Sequence, residues 1–350
     1  MRVLMVGVDK QTKGGMWTVA ENYLQTPVFV QETGLDYVST SITGSIPRRL
    51  WFTAKAFVKI LAKLLKNKYD ILHVHMAERG SVYRKNMVIA MAKCFGCKVV
   101  IHMHGAEFET WYSSLNEKKK QGVRKILNKA DKVLILGQYW MDFVSGLVEE
   151  KSRVCVLHNA VPVPMENSYN PHSKHMLFLG VVGKRKGVFD LLEAVKTVDT
   201  QLPKDSKLMI YGPESDGPID PVIRQMGLEN RVRYCGWLSG EKKPEVFAQT
   251  AVNILPSYNE GLPMTILETM AYGIPNISTN VAAIPEAVQE ENGMVICPGD
   301  VQQLSRAILE FMKDDNSRKQ KSAAAYEKAK AEFSMESHLG KLMQIYRELV

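Results

Sequence analysis

Short, continuously apolar runs recur along the chain, and each is followed by a turn and a stretch with helical periodicity. Residues 2–8, 69–76 and 98–104 follow this pattern in the first half, and residues 175–179 and 252–255 follow it in the second. A short apolar run bounded by turns is typical of a strand that is buried on both faces, as in a parallel sheet. The alternation therefore predicts an α/β protein built from strand–turn–helix units.

The rhythm breaks at residues 158–173, where three prolines and three asparagines replace the periodic pattern. Such a stretch is typical of a connection between domains. With 350 residues, the chain is long enough for two α/β domains that each have a core. We predict two α/β domains, with the boundaries 1–160 for the first domain, 161–174 for the linker and 175–333 for the second domain, and a helical stretch at 334–350 ends the chain.

The most informative stretch is residues 252–279, VNILPSYNEGLPMTILETMAYGIPNIST. Its apolar start predicts a strand, the next residues cannot extend that strand, and Pro263 suits the first position of a helix that runs to about Tyr272. The first free N–H groups, near Met264 and Thr265, then point over the loop together with the positive end of the helix dipole. This arrangement predicts an anion-binding site, and phosphate is the expected ligand.

Two carboxylates flank this predicted site, Glu260 in the loop and Glu268 within the helix. Neither has the setting of a metal ligand, so no metal site is predicted. A carboxylate near a bound phosphate can accept hydrogen bonds from sugar hydroxyls, as the acidic residue of dinucleotide-binding folds does from ribose. The alternative is that both residues are ordinary surface and helix charges.

Two glycine-containing loops offer further contacts for phosphate. Residues 180–187, GVVGKRKG, carry three cations between glycines and lead into a helical stretch, which suits a diphosphate through close backbone approach and fixed charge. Gly14 and Gly15 follow the first strand and precede another helix, although the fingerprint GxGxxG is absent there. A solvated basic turn and a plain tight turn are the respective alternatives.

Positive charge is concentrated in the N-terminal half. Residues 1–165 contain 24 Lys and Arg against 13 Asp and Glu, a net of +11, whereas the remainder has 21 against 24, a net of −3. Within the first half, residues 48–68 have helical periodicity with two faces. The basic face contains Arg48, Lys55, Lys59, Lys63 and Lys66 together with Phe52, and the apolar face contains Leu50, Phe57, Ile60, Leu61 and Leu64. This helix either packs on a core with a solvated lysine face or rests on anionic lipid headgroups through the basic face, Phe52 and Trp51.

Histidines cluster near the ends of two predicted strands, at His73, His75, His102 and His104. Ligands of parallel α/β folds bind at the carboxyl ends of the strands, where these runs finish. Alternation points His102 the same way as His104 but deeper in the sheet, so we expect His104 alone to contact a ligand and the other three to pack inside the protein.

Residues 260–268 resemble the Glu-x7-Glu signature of retaining glycosyltransferases of family 4, which have the GT-B fold. The stretch reads Glu260-Gly-Leu-Pro-Met-Thr-Ile-Leu-Glu268, and Met-Ala-Tyr-Gly-Ile-Pro follows it. The resemblance covers nearly the whole chain and implies two Rossmann-like domains whose parallel sheets face a central cleft. It also implies that the C-terminal helix crosses back to the first domain.

The resemblance implies roles for individual residues. Glu260 would hold the hydroxyls of the donor sugar and Glu268 the ribose of the nucleoside. The backbone between them would approach the sugar and the diphosphate, at Gly261, Leu262, Met264 and Thr265. His104 begins His-Gly-Ala-Glu, which is similar to the family motif whose histidine contacts the donor sugar.

The remaining implied contacts concern the diphosphate. Lys186 matches the family's lysine on the diphosphate, and the pair Gly14 and Gly15 would line the donor phosphate and the acceptor side of the cleft. The first domain would hold the acceptor and the second domain the nucleotide-sugar. The family also has an arginine in this loop, at a position that is occupied here by Val181. Either Arg185 or Lys184 substitutes for that arginine from within the loop, or the affinity for the donor is reduced.

The resemblance further implies a hexosyltransferase that works without a metal or a cofactor and retains the anomeric configuration. The donor would be a UDP- or GDP-sugar, and the acceptor a glycan or lipid-linked glycan in the synthesis of capsule, exopolysaccharide or O-antigen. His104, Glu260 and Lys186 would be the catalytic residues. The alternatives are a nucleotide-sugar epimerase of the same fold and a catalytically silent nucleotide-sugar-binding protein. Nucleic-acid binding is not expected, because the basic half has no aromatic and basic stacking surface.

The chain contains no apolar run of the roughly 18 residues that a membrane-spanning helix needs. Its first residues enter a strand rather than a signal peptide. We therefore expect a cytoplasmic protein, and contact with the inner face of the cell membrane through residues 48–68 is the remaining alternative. The five cysteines are expected to be reduced and buried, although Cys94 and Cys97 have the spacing of a redox pair.

Overall fold

A computed structural model describes residues 1–12 and 14–350 of the protein. The chain forms two compact units. Met1–Asn159 and Met335–Val350 make the first, and Ala160–Ser334 make the second. Each unit contains one parallel six-stranded sheet, so the predicted α/β class is confirmed.

The sheet of the first unit has the strand order β2-β1-β3-β4-β5-β6. The strands are β1 (Val3–Gly7), β2 (Asp36–Ser39), β3 (Ile71–Met76), β4 (Lys98–Met103), β5 (Lys132–Ile135) and β6 (Val154–Val156). The helices among them are α1 (Gly15–Leu24), α2 (Pro27–Thr33), α3 (Ile46–Lys66), α4 (Gly80–Cys94), α5 (Phe108–Ser113), α6 (Glu117–Leu127) and α7 (Met141–Ser145). All residues of β1 and β3 are buried, as in sheets that helices cover on both faces.

The sheet of the second unit has the strand order β12-β11-β10-β7-β8-β9. Its strands are β7 (His175–Leu179), β8 (Leu208–Tyr211), β9 (Val232–Tyr234), β10 (Thr250–Leu255), β11 (Asn276–Thr279) and β12 (Gly293–Ile296). The helices are α8 (Val188–Val198), α9 (Asp220–Gln225), α10 (Lys243–Ala248), α11 (Met264–Ala271), α12 (Ile284–Ala287), α13 (Val301–Lys313) and α14 (Asp315–Glu332). Neighbouring strands pair in parallel throughout.

The chain ends in helix α15 (Met335–Leu349), which belongs to the first unit. Its buried Tyr346 lies with its hydroxyl 2.6 Å from Nδ1 of His73 in β3. His338 of the same helix lies with Nε2 2.6 Å from the hydroxyl of Tyr23 in α1, and with Nδ1 2.7 Å from the carbonyl oxygen of His158. The last helix is therefore fixed by buried polar contacts to the sheet and helices of the N-terminal segment.

Residues 161–174, the predicted linker, are fastened to the second unit. The hydroxyl of Tyr169 donates to the carbonyl oxygen of Ala251 at 2.8 Å, and Nδ2 of Asn167 donates to Oγ of Ser322 at 3.0 Å. The guanidinium of Arg318 donates to the Pro171 carbonyl oxygen at 2.8 Å. This segment thus has fixed contacts despite its irregular sequence.

Helix α3 packs differently from the prediction. Its fully buried residues are Ala56, Ile60 and Leu64, whereas Leu50 and Leu61, which were assigned to the core face, are 66% and 41% exposed. The assignment of these two leucines is therefore wrong. The helix has two apolar arcs, and periodicity alone does not tell which arc meets the sheet.

The prediction that all cysteines are buried is also wrong. Cys97 is buried, Cys155 and Cys235 are partly buried, and Cys94 and Cys297 are exposed. All five are free thiols. Over the described ranges 1–12 and 14–350, no helix is both long enough and apolar enough to span a membrane.

Candidate functional site

The predicted phosphate-binding loops meet at one point of the second sheet. The strand order runs outward from β7 through β8 to β9 on one side, and from β10 through β11 to β12 on the other. β7 and β10 are therefore the neighbours between which the winding direction reverses. Ligands of open α/β sheets bind at the carboxyl ends of such a pair, where the following loops diverge. The loops after these two strands are residues 180–187 and 256–263.

The two loops are joined by their functional side chains. Nζ of Lys186 forms an ion pair with the Glu260 carboxylate, and Oγ of Ser257 donates to the same carboxylate at 2.7 Å. The side chains of Lys186 and Glu260 are only 12% and 7% exposed. Because both are nearly buried and mutually paired, their charges are held in place before any ligand arrives.

The predicted helix is α11, with Pro263 as its N-cap rather than its first residue. No acidic residue lies in the first turn, and Pro263 provides no side-chain cap. Within the described part of the chain, the N–H groups of Met264 and Thr265 have no acceptor. Oγ1 of Thr265 is likewise buried without a partner. The helix start therefore offers several unused hydrogen-bonding groups at the carboxyl edge of the sheet.

Glu268, one turn further along α11, pairs with a residue that the sequence analysis missed. Nζ of Lys243, the first residue of α10, lies 2.7 Å from Oε1 of Glu268. The side chains are 25% and 13% exposed. A lysine 25 positions away gives no local signal in the sequence, so the pair could be found only from the fold.

The loop 180–187 presents its cations differently. Nη1 of Arg185 donates to the carbonyl oxygen of Asn259 at 2.8 Å, so this side chain supports the neighbouring loop. The backbone N–H of Lys184 donates to Oδ2 of Asp216 at 2.6 Å, which fixes the turn. Val181 is 36% exposed. Arg185 is therefore beside the Glu260 loop, and the position of the family's arginine is open to solvent.

Side chains of β11 form hydrogen bonds that fix the loop after β10. Oγ of Ser278 donates to the Leu255 carbonyl oxygen and Oγ1 of Thr279 to the Ser257 carbonyl oxygen, both at 2.7 Å. Asn276 holds α11, because Oγ1 of Thr269 donates to its side-chain oxygen at 2.9 Å. All of these polar groups are buried. Satisfied buried hydrogen bonds of this kind fix the geometry of the loop and of the helix start.

Gly187 is essential for the approach of the two loops, which leads to a prediction about stability. It has φ of +70°, and a Cβ atom there would collide with the carbonyl oxygen of Pro256. We expect Gly187→Ala to lower the free energy of unfolding of the second unit by about 1–3 kcal/mol, since a strained backbone and a displaced loop both add cost. Gly240→Ala is the matched control, because a Cβ there meets nothing within 4 Å. Equal urea midpoints for the two variants would contradict the prediction.

In the first unit, Gly14 and Gly15 lie at the start of α1, after β1. Gly14 is the N-cap with φ of 149°, and Gly15 is the first helical residue. A side chain at Gly14 would meet no atom within 4 Å among the described residues. The predicted position of this pair, between a strand and the N-terminus of a helix, is thus observed, and its role in phosphate binding stays a prediction.

The four histidines form one packed group on β3 and β4. His75 and His102 are register partners, and their rings stack with centroids 5.5 Å apart. Nδ1 of His75 lies 2.8 Å from Nε2 of His104, and Nε2 of His73 lies 3.3 Å from Nδ1 of His102. His73, His75 and His102 are fully buried, whereas His104 is partly exposed. His104 is thus the member of the group that a ligand can reach.

Burial keeps these rings neutral. Desolvation, followed by repulsion from neighbouring imidazoles, lowers the pKa of His73 and of His104 to about 3. The same causes place the pKa values of His75 and His102 well below the usual value. A neutral imidazole can donate through one nitrogen and accept through the other. His104 therefore suits a hydroxyl group better than a phosphate.

Three of the histidines could also hold a metal ion. His73, His75 and His102 each bring one nitrogen atom to within 4.8 Å of the others. Among the described residues, Nε2 of His75 and Nε2 of His102 are buried without a partner. However, His73 already bonds to His102 and Tyr346, and His75 bonds to His104. Over the described residues, the group contains no carboxylate. That no metal takes part in the function stays a prediction.

The loop after β3 was not predicted to be functional. Oε2 of Glu78 is buried and has no partner in the ranges 1–12 and 14–350, and a Cβ at Gly105, next to His104, would collide with this carboxylate. Arg79 has φ of 61°, which is rare for a residue with a side chain. Strain and an unpaired buried carboxylate are typical of functional sites. No pattern in the sequence indicated them.

Comparisons with known proteins identify the class. A family model described as glycosyltransferase family 4 matches residues 25–163, and one described as glycosyl transferases group 1 matches residues 166–328. The matches adjoin and span most of the chain. This protein therefore belongs to the glycosyltransferases that combine these two domains, and the family predicted from the motifs is confirmed.

Individual proteins agree with this family. The chain is 23% identical to an uncharacterised 41.2 kDa protein in the cps region of Klebsiella pneumoniae, over 98% of this chain and 99% of that protein. It is also 23% identical to the Escherichia coli UDP-Gal:alpha-D-GlcNAc-diphosphoundecaprenol alpha-1,3-galactosyltransferase, over 85% of this chain and 80% of the relative. The solved structure of Anabaena Alr3699/HepE in complex with UDP matches with a TM-score of 0.76 at 15% identity, over 99% of this chain and 100% of the other. The predicted GT-B fold is therefore confirmed.

Proposed function

We propose that the protein transfers a hexose from a nucleotide-diphosphate sugar to a glycan or lipid-linked glycan, with retention of configuration and without a metal. The observation that carries this proposal is the convergence of two carboxylates, Lys186 and the free start of α11 at the point where the second sheet reverses its winding. The relatives from a capsule region and with a UDP-Gal donor support it. The product would enter a cell-surface polysaccharide such as capsule or O-antigen.

The donor would lie along the loop 256–263 and α11. Glu268 accepts hydrogen bonds from the ribose hydroxyls, and Glu260 accepts them from hydroxyls of the sugar. The diphosphate receives hydrogen bonds from the N–H groups of Met264 and Thr265, with Gly261 and Leu262 allowing its close approach. These groups are preorganised, so they need not reorganise when charge develops on the leaving diphosphate.

Lys186 is central to this chemistry. Its ammonium group has three donors, so it can keep its contact with Glu260 and still donate to a phosphate oxygen. As the bond between the sugar and the diphosphate breaks, negative charge grows on the diphosphate and positive charge on the sugar ring. Lys186 stabilises the negative charge on the diphosphate. The Glu260 carboxylate lies on the side of the sugar, where the positive charge develops. Arg185, anchored to the carbonyl of Asn259, adds a further positive charge to the same loop.

In the first unit, the neutral His104 would contact a hydroxyl of the donor sugar, and Gly14 and Gly15 would line the phosphate. His104 is fixed by its bond to His75, whose ring is buried behind it. Because His75 holds one ring nitrogen, the other nitrogen of His104 is available to a sugar. The acceptor hydroxyl attacks on the face of the sugar from which the diphosphate leaves, and its proton passes to an oxygen of the leaving diphosphate.

The alternatives differ in what happens to the donor alone. Following each UDP- and GDP-sugar by proton NMR without acceptor, we expect slow release of the sugar with the donor's anomeric configuration. Release of an epimer would favour the epimerase, and binding without any turnover would favour the silent protein. Glu268→Ala should abolish release, whereas Glu291→Ala, at an exposed turn of the same unit, should not change it.

The loss of the family's arginine leads to a further prediction. Val181→Arg places a cation at an exposed position of the diphosphate loop. We expect it to tighten binding of the nucleotide-diphosphate about 10-fold, since a hydrogen bond from a charged donor is worth about 1.5–3 kcal/mol before solvent screening. Met165→Arg adds the same charge at a residue that is 96% exposed in the same unit and should leave affinity unchanged. Equal affinities for the two variants in calorimetry would show that Arg185 already fills the role.

We also propose that the protein works in the cytoplasm, at the inner face of the cell membrane, where lipid-linked acceptors are found. The basic first half of the chain supports this location.

A further inference from the structure

Helix α3 exposes a stripe of large apolar side chains. Leu50, Trp51, Val58, Leu61 and Leu65 are between 41% and 70% exposed. At 100° per residue they fall within an arc of about 100° on one side of the helix. The buried residues Ala56, Ile60 and Leu64 lie on a separate arc, so the stripe is not an extension of the core contact. A folded monomer rarely leaves such a contiguous apolar surface without a function.

A row of cations borders this stripe. Arg48, Lys55, Lys59 and Lys66 are exposed and fall within about 40° of one another, next to Trp51. Nζ of Lys55 lies 5.1 Å from the centre of the Trp51 ring. Helix α3 contains no aspartate or glutamate. In the described part of the chain, Lys63 alone among its cations pairs with a carboxylate, that of Asp36.

This combination fits an anionic lipid surface. An interfacial helix buries aliphatic and Trp side chains at the level of the acyl chains and keeps lysines at the headgroups. A second copy of the chain fits less well, because α3 has no carboxylate that could pair with the cations of another α3. We propose that α3 docks on an anionic bilayer by inserting the stripe of Leu50, Trp51, Val58, Leu61 and Leu65, with the lysine row against the headgroups.

This docking mode differs from the contact expected from the sequence. The sequence suggested that the basic face with Phe52 and Trp51 rests on the membrane and that Leu50 and Leu61 pack in the core. In the structure Phe52 is partly buried, and the two leucines belong to the exposed stripe. The stripe therefore makes the main contact, and the lysines assist. This docking adds a partner to the proposed function and does not depend on donor binding or turnover.

The test measures partition of the full chain to vesicles of phosphatidylglycerol mixed with phosphatidylcholine, by flotation. We expect binding that weakens with salt and falls on pure phosphatidylcholine. Val58→Asp/Leu65→Asp should lower the partition coefficient at least about 100-fold, because two charges enter the apolar layer. Val28→Asp/Met87→Asp, at exposed apolar residues of α2 and α4, is the matched control and should bind like the wild type.

Two further variants test the lysine row and the apolar stripe separately. Lys55→Gln/Lys59→Gln/Lys66→Gln should weaken binding about 100-fold, at about 1 kcal/mol for each cation near an anionic surface. Brominated lipids should quench the fluorescence of the wild type, and Trp51→Phe should lose the quenched component.

Three results would overturn the proposal. The first is that the wild type does not bind vesicles. The second is that the wild type binds vesicles and Val58→Asp/Leu65→Asp binds them equally well. The third is that the wild type is a dimer in solution and Val58→Asp/Leu65→Asp is a monomer. The last would assign the stripe to a second copy of the chain. Thermal unfolding of each variant shows whether its fold is intact, and none of these readouts requires a sugar donor.

Discussion

Lys186→Met is expected to lower kcat/KM for the nucleotide-sugar by about 10³-fold. Nζ of Lys186 pairs with Glu260 at the carboxyl edge of the second sheet, and the proposed diphosphate lies beside it. Removing one preorganised donor that stabilises developing charge costs about 10²–10³-fold in rate. The variant also leaves the nearly buried Glu260 with Ser257 as its remaining donor in the described structure, which adds to the loss.

The comparison for Lys186→Met is Lys196→Met, at an exposed lysine in the last turn of α8. It should leave both kcat and KM unchanged. Lys186→Arg should recover part of the rate, because a guanidinium keeps the charge but not the shape of the ammonium group. If Lys186→Met retained kcat and raised only KM, Lys186 would bind the donor without stabilising the transition state.

The first unit is expected to lose stability steeply as the pH falls below about 6.5. Desolvation lowers the pKa of His73 and His104 to about 3 and that of His338 to about 4. It also lowers the pKa values of His75 and His102 well below the usual value. The unfolded chain binds these protons near pH 6.5, whereas the folded chain does not. Each histidine therefore removes about 1.4 kcal/mol of stability per pH unit until the pH reaches its folded pKa.

Urea unfolding at a series of pH values between 7 and 5 measures this slope. His172→Gln is the control, because His172 is exposed and lies outside the cluster, so the variant should show the wild-type slope. His338→Gln should show a smaller slope, since one buried imidazole is gone. A free energy of unfolding that stays constant between pH 7 and pH 5 would contradict the prediction. It would mean that the imidazoles take up protons as readily in the folded chain as in the unfolded chain.

The sequence predicted the elements of the proposed donor site but not their connections. Pro263 and the apolar run before it located the strand, the loop and the start of α11. The pairing of Lys186 with Glu260 joins residues 74 positions apart, and it arises because β7 and β10 are neighbours. The sequence did not predict a role for Lys243 either, because its contact with Glu268 exists only in the folded unit.

Helix α3 and the histidines show a second limit. Periodicity placed the helix within two residues of its observed bounds, but it could not decide which apolar arc meets the sheet. The expectation that His73, His75 and His102 pack inside the protein is confirmed, and His104, at the end of its run, is the partly exposed member. The contact of His73 with Tyr346 depends on where α15 lies, which local sequence does not encode.

The most direct test of the central claim is calorimetric titration of the protein with UDP, GDP and a panel of their sugars, on the wild type and on Glu268→Ala. We expect one nucleotide and its sugar to bind the wild type, and Glu268→Ala to lose at least about 10-fold in affinity through the ribose contacts. Glu291→Ala should bind like the wild type. Binding of a nucleotide-sugar that is equal in the wild type and Glu268→Ala, or no binding of any of them to the wild type, would contradict the assignment of this edge of the second sheet as the donor site.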